Sequence, residues 1–146
     1  MISNLLGCGN GTVVDLGFAL DGSNSIDANE YRLTKDFVKD IIRMFYISES
    51  GTHVGLLEYA VRASIRVGFD YFYNADELLE YVEELKQSSG AATNIGIGLE
   101  KTLELFSNKY AMRDKVRLIQ STSCSKPVPS LKNTALIFLE IFLIES

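Results

Sequence analysis

The sequence predicts a layered α/β domain with a hairpin-borne antiparallel edge strand, on three observations. Apolar strand-like runs alternate with segments of helical period, in the order β-α-β-β-α-α-β. The first run, Val13-Val14-Asp15-Leu16-Gly17-Phe18-Ala19-Leu20, is apolar almost throughout, as a strand buried on both faces must be. It empties into Asp21-Gly22-Ser23-Asn24-Ser25, so one carboxylate and two hydroxyls sit where a strand gives way to a helix. In open α/β sheets ligands bind at that carboxyl end, and crossovers are right-handed.

Residues 1–11 are rich in Gly and Asn and read as a lead-in. Gly7-Cys8-Gly9-Asn10-Gly11 has the glycine density of a phosphate loop but precedes the strand, which is the wrong context. Strand one covers about 12–20. Asp27 and Glu30 form a capping box that opens helix one, about 28–47, with Tyr31, Thr34, Val38, Ile41, Ile42 and Phe45 as its inward stripe and Gly51 beyond its end. Strand two covers about 52–59. Strand three, about 62–68, alternates Ala63, Ile65 and Val67 with Arg62, Ser64 and Arg66, giving one buried face and one basic wet face suited to an edge.

Asn74 caps helix two, about 75–86, whose buried stripe is Leu78, Val82 and Leu85. A small polar loop, 87–94, leads into helix three, about 94–107, with Leu99, Leu103 and Phe106 facing inward. Lys115 to Gln120 reads as strand four, and Ser121 to Pro129 as a loop. Leu131 to Ile144 is strongly apolar, broken by Glu140, and reads as a buried strand or helix, with pairing to the open edge of strand four as one use for it. The expected division is a lead-in over 1–11, a domain over 12–120 and a divergent tail over 121–146.

The 146 residues suffice for one core, and a 47% apolar content makes the chain globular. The net charge of −5 argues against nucleic acid, which needs a basic face. No stretch reaches the roughly 20 apolar residues of a membrane span, and no export signal is visible. Cys8 and Cys124 are expected at opposite ends of the sheet, about 26 Å apart along an eight-residue strand, too far for a disulfide. Asn10-Gly11-Thr12 is a glycosylation sequon, with Asn10 the candidate acceptor if the chain is secreted.

Three motifs in register resemble the von Willebrand factor type A family. Phe18-Ala19-Leu20-Asp21-Gly22-Ser23-Asn24-Ser25-Ile26 is similar to its Asp-x-Ser-x-Ser metal-ion-dependent adhesion site. Val54-Gly55-Leu56-Leu57-Glu58-Tyr59 resembles its second strand, and Ala91-Ala92-Thr93-Asn94-Ile95-Gly96-Ile97-Gly98-Leu99 its second metal loop. The resemblance implies a Rossmann-like fold: a mostly parallel central sheet, one antiparallel edge strand and helices on both faces, incomplete at the C-terminal end. It implies that Asp21, Ser23, Ser25 and Thr93 surround a Mg²⁺ or Mn²⁺ ion. The family's third metal loop carries an Asp after strand four; here Gln120-Ser121-Thr122-Ser123 stands there, so affinity should be weakened.

Plainer roles compete for some of these residues. Thr93 is a candidate N-cap of helix three as well as a metal neighbour, the two roles being compatible, and Asp27 and Glu30 are caps rather than ligands. His53, the only histidine, is expected at the surface, and Arg62 and Arg66 on a solvated edge. No nucleophile–base pair stands out, so the expectation is a non-enzymatic recognition module. By resemblance its partner is a matrix protein such as a collagen, or a cell-surface receptor, offering a Glu or Asp to the metal, in an extracellular setting. The alternatives are an intracellular scaffold of the same fold and a truncated fragment that binds nothing.

Overall fold

In the computed structural model, residues 14–107 and the backbone of 139–145 are described. Strands β1 (Val14–Asp21), β2 (His53–Tyr59), β3 (Ala63–Val67) and β4 (Leu139–Glu145) form one sheet in the order β3-β2-β1-β4. Helices α1 (Ala28–Ile42), α2 (Ala75–Glu84) and α3 (Ile95–Leu105) cover it. β1 and β2 run parallel, Asp21 opposite Tyr59, while β3 returns antiparallel along β2 as the hairpin reading expects.

Every residue of β1 and β2 is buried, the consequence of helices on both faces. Val14, Leu16, Phe18, Leu20, Val54 and Leu56 point to one side and pack with Val38, Ile41 and Ile42 of α1 and with Leu78 and Val82 of α2. Ala19, Leu57 and Tyr59 point to the other and pack with Phe69, Leu105 and Phe106. The period-two alternation of strand side chains produces this division. On the α3 side Gly17 and Gly55 bring the helix close: a Cβ at Gly17 would lie 2.7 Å from the Phe106 ring, and one at Gly55 2.9 Å from Leu105.

Several expectations are revised. Helix α1 ends at Ile42 rather than near 47, because its last turn tightens: Met44 N–H reaches Ile41 O and Phe45 N–H reaches Ile42 O. Helix α2 ends at Glu84. The inward face of α3 is Gly98, Thr102 and Leu105, while Leu99 and Leu103 are 40% and 60% exposed. The reason is the close seat of Gly98 on the Tyr59 ring, where a Cβ would meet ring carbon at 2.9 Å. A bulge between Leu56 and Leu57 breaks the alternation of β3, so Val67 joins the α1 side while Ala63 and Ile65 pack on the α3 side.

His53 is buried at 3% exposure rather than on the surface. Its register partner across the parallel pair is Asp15, whose carboxylate oxygen lies 3.2 Å from Nδ1, and Nε2 lies 2.9 Å from Glu49 O. Tyr73 stacks edge-on against the ring.

The C-terminal apolar run does supply a strand. β4 pairs antiparallel with β1, Leu20 opposite Leu139, so the described sheet has an antiparallel strand at each edge. Strand four (115–120), the loop after it, both cysteines, the glycine-rich lead-in and Asn10 lie outside the described residues.

Candidate metal centre

β1 delivers Asp21 to the carboxyl end of the sheet, where the chain leaves the strand in a turn. Gly22 N–H donates to Tyr59 O at 2.8 Å, so β2 still holds the chain at the first loop residue. Ser23 N–H donates to Asp21 Oδ1 at 2.8 Å, an Asx-type turn that the short polar side chain makes locally. The turn aims the Ser23 and Ser25 hydroxyls at each other, with their oxygens 2.7 Å apart.

The second half comes from the loop before α3. Its chain is laid against the first loop by backbone bonds: Asn24 N–H to Gly90 O at 2.8 Å, and Ser89 N–H to Gly22 O at 3.1 Å. The Gln87 amide donates to Ser23 O at 2.9 Å and Ile26 O at 2.8 Å. Asn94 N–H is held by Ala60 O at 2.9 Å. This places the Thr93 hydroxyl 2.8 Å from Ser23 Oγ and 3.3 Å from Ser25 Oγ.

All four expected site residues therefore meet at one end of the sheet. Asp21 and Ser23 are buried, at 6% and 1% exposure, and Ser25 and Thr93 are exposed, so the cluster opens to solvent on one side. The N-cap of α3 is Asn94, whose side chain accepts from Ile97 N–H, so Thr93 is released from capping. Asp27 and Glu30 are fully used as the capping box of α1.

The donor set fits a hard cation. The donors are one carboxylate and three hydroxyls, with no nitrogen or sulfur among them. Adjacent ligand oxygens of an octahedral ion at about 2.1 Å lie about 3.0 Å apart. The hydroxyl separations of 2.7, 2.8 and 3.3 Å, set by hydrogen bonds among the three side chains, bracket that value. Among the described residues no group of three or more His, Cys, Asp or Glu gathers in a metal-binding arrangement, and Asp21 is the one acid in the Asp21–Ser25 turn.

Sequence reasoning passed over Glu58. It is 1% exposed, on β2 just beneath the loops. Its Oε1 accepts from the Tyr31 hydroxyl and from Ser88 N–H, each at 2.9 Å, and its Oε2 pairs with Arg66 at 2.9 Å. Burial, then the charge and hydrogen bond of Glu58, push the Tyr31 phenol far above its ordinary value. The signal was a single acid in an otherwise apolar strand. Arg66, expected on a wet face, is instead the ion-pair partner of this buried acid.

Comparison with known proteins identifies the fold. The family model of the von Willebrand factor type A domain matches residues 15–120. Mouse vitrin is 30% identical over 106 residues, covering 72% of this chain and 16% of that protein. Rat von Willebrand factor is 26% identical over 88 residues, 60% of this chain and 20% of that protein. The mouse collagen alpha-4(VI) chain is 28% identical over 102 residues, 70% of this chain and 4% of that one. The chain thus spans a fifth or less of the length of these relatives.

Among solved structures, proximal thread matrix protein 1 from the mussel byssus, with a zinc-occupied MIDAS motif, superposes with a TM-score of 0.60 at 31% identity, covering 68% of this chain and 26% of that one. A second crystal form gives 0.61 at 22% identity, over 66% of this chain and 26% of that one, a likeness of fold. With its motifs in register and the family model matching most of its length, the chain belongs to the von Willebrand factor type A domain family.

Proposed function

We propose that this chain is a divalent-cation-dependent protein-recognition module of the adhesion and matrix type. The observation that carries the reading is the triangle of Ser23, Ser25 and Thr93 hydroxyls beside Asp21, drawn from two loops and open on one side. These four residues would hold Mg²⁺ or Mn²⁺, with oxygen donors favouring such hard ions over zinc. When bound, the ion supplies a concentrated positive charge able to accept a partner's carboxylate.

The protein's own part is positioning. Asp21 fixes the Ser23 turn through the backbone, and the backbone bonds to Ser89 and Gly90 hold the second loop at a set distance. An open groove of about 550 Å³ adjoins the loops, bounded by Arg62, Arg66, Ser88 and Ser89 among others. With Arg66 paired to Glu58, the exposed Arg62 at its rim suits an acidic protein surface flanking the carboxylate that reaches the ion.

Relatives that include collagen chains and a byssal thread matrix protein support a matrix protein as partner and an extracellular setting. No helix among the described residues is long and apolar enough to cross a membrane. Relatives that include vitrin and collagen chains support recognition rather than turnover.

Calorimetric titration of the chain with Mn²⁺ tests the reading. Saturable binding to the wild type, lost in Asp21→Ala, is the expected result. Equal affinity of the two proteins would remove the assignment.

A further inference from the structure

The geometry points to Glu58 as the positioning residue of the cation site, a buried carboxylate that sets the spacing of the two loops without touching the ion. The inference rests on the cation-site reading above and deepens it.

A buried carboxylate is expensive unless paired, and a well-packed apolar residue in its place is often neutral or stabilising. Glu58 is paired three times, and each partner belongs to a different part of the fold. Tyr31 lies on α1, Arg66 on β3, and Ser88 in the segment that becomes the second loop. Gly22, the residue between Asp21 and Ser23, rests directly on the carboxylate: a Cβ there would overlap Glu58 Oε1 and lie 2.5 Å from Ser88 Oγ. The acid is thus the floor on which the first loop sits and the anchor to which the second is tied.

The bonds continue upward. Ser88 is fixed by Glu58; Ser89, with φ of 55°, takes a left-handed turn unusual for a residue bearing a Cβ. Ser89 N–H then meets Gly22 O, and Gly90 O meets Asn24 N–H. Every link from Glu58 to Ser23 is a hydrogen bond or a backbone contact. Moving Ser88 therefore moves Ser89 and Gly90 relative to Gly22 and Asn24, and opens the hydroxyl triangle.

Two substitutions separate position from charge. Glu58→Gln keeps the length and an oxygen for Tyr31 and Ser88, and lets Arg66, which is partly exposed, turn to solvent. Glu58→Asp keeps the charge but withdraws it by about 1.5 Å, one carbon–carbon bond. In the full chain, Mn²⁺ affinity should stay within about twofold of wild type in Glu58→Gln and fall by about tenfold in Glu58→Asp, as for other outer-sphere partners. In the metal-free protein, amide exchange at Ser88 and Ser89 should speed up in Glu58→Asp alone.

The core truncation Val82→Ala, on α2, controls for instability and should lower the melting temperature while leaving Mn²⁺ affinity unchanged. Wild-type behaviour of Glu58→Asp in both affinity and exchange would overturn the proposal. So would weakening in Glu58→Gln with retention in Glu58→Asp, or equal weakening in Val82→Ala. If Glu58→Asp does not fold, Gly22→Ala presses on the same carboxylate from the loop side, and unchanged Mn²⁺ affinity there overturns the proposal. A wild type that takes up no Mn²⁺ would remove the cation reading, and the exchange comparison would still decide the role of Glu58.

Discussion

The Thr93 hydroxyl donates to Ser23 Oγ at 2.8 Å across 70 positions of sequence. This contact brings a side chain of the loop before α3 onto the loop after β1, beside the backbone bonds of Asn24 and Ser89 that already join the two. It exists because Asn94, and not Thr93, caps the helix. The division of labour between neighbours leaves one hydroxyl for the cluster and one amide for the helix.

Thr93→Ala should therefore separate binding from folding. Thr93 is exposed and does not cap, so stability should change by no more than about 0.5 kcal/mol. Mn²⁺ affinity should fall by about tenfold or more, because a donor of the triangle is gone. Calorimetry and a urea melt on the same preparation check both halves.

Asp27→Ala should do the reverse. Asp27 accepts from Asn29 N–H at 2.8 Å and Glu30 N–H at 2.9 Å, and no contact ties it to the hydroxyl cluster. Loss of the cap should cost about 1 kcal/mol in a urea titration. Mn²⁺ affinity should hold, which would distinguish a cap from a ligand in a stretch where both kinds of acid stand close in sequence.

Gly98→Ala sets two effects against each other. Alanine improves helix propensity by about 1 kcal/mol. Its Cβ would also lie 2.9 Å from the ring of Tyr59, itself 3% exposed and packed in the core. Overpacking of that kind costs about 1–3 kcal/mol, so the net expectation is destabilisation by about 1 kcal/mol. A lower urea midpoint with unchanged slope is the expected reading.

Tyr31 should make the fold sensitive to alkali. Its folded-state pKa is raised, first by burial and then by Glu58, so the folded protein keeps the phenolic proton that the unfolded chain gives up above about pH 10. The unfolded state then binds fewer protons, and stability falls as pH rises, by at most about 1.4 kcal/mol per unit from this group. Below pH 10 the contribution is fully present. Urea midpoints at pH 9 and pH 11 should therefore drop more steeply for wild type than for Tyr31→Phe, which lacks the titrating group.

Much of this was legible because local chemistry announces itself. Asp21, Ser23 and Ser25 follow a buried strand, and Asp27 with Glu30 spell a cap at fixed spacing. What stayed hidden depends on pairing between distant segments. His53 looked like a surface residue because nothing near it in sequence explains burial; its partner Asp15 lies on another strand. Leu99 and Leu103 looked like a core stripe by period. The face that turned inward was the one with Gly98, because backbone proximity to Tyr59 outweighed apolar spacing. The apolar tail was readable as a possible strand, but the edge expected for it was that of strand four, and its pairing with β1 was not legible. Glu58 was visible as an anomaly, and its partners on α1, β3 and the second loop were not.

The central claim is that the two loops build one cation seat, and paramagnetic broadening by Mn²⁺ in solution tests it most directly. Substoichiometric Mn²⁺ should broaden the amide resonances of Asp21 to Ser25 and of Thr93 first, with His53 at the far end of the strands among the last. Broadening that starts instead at the surface acids Asp36, Asp40 and Glu83, or that spares Thr93 while reaching Ser23, would contradict it.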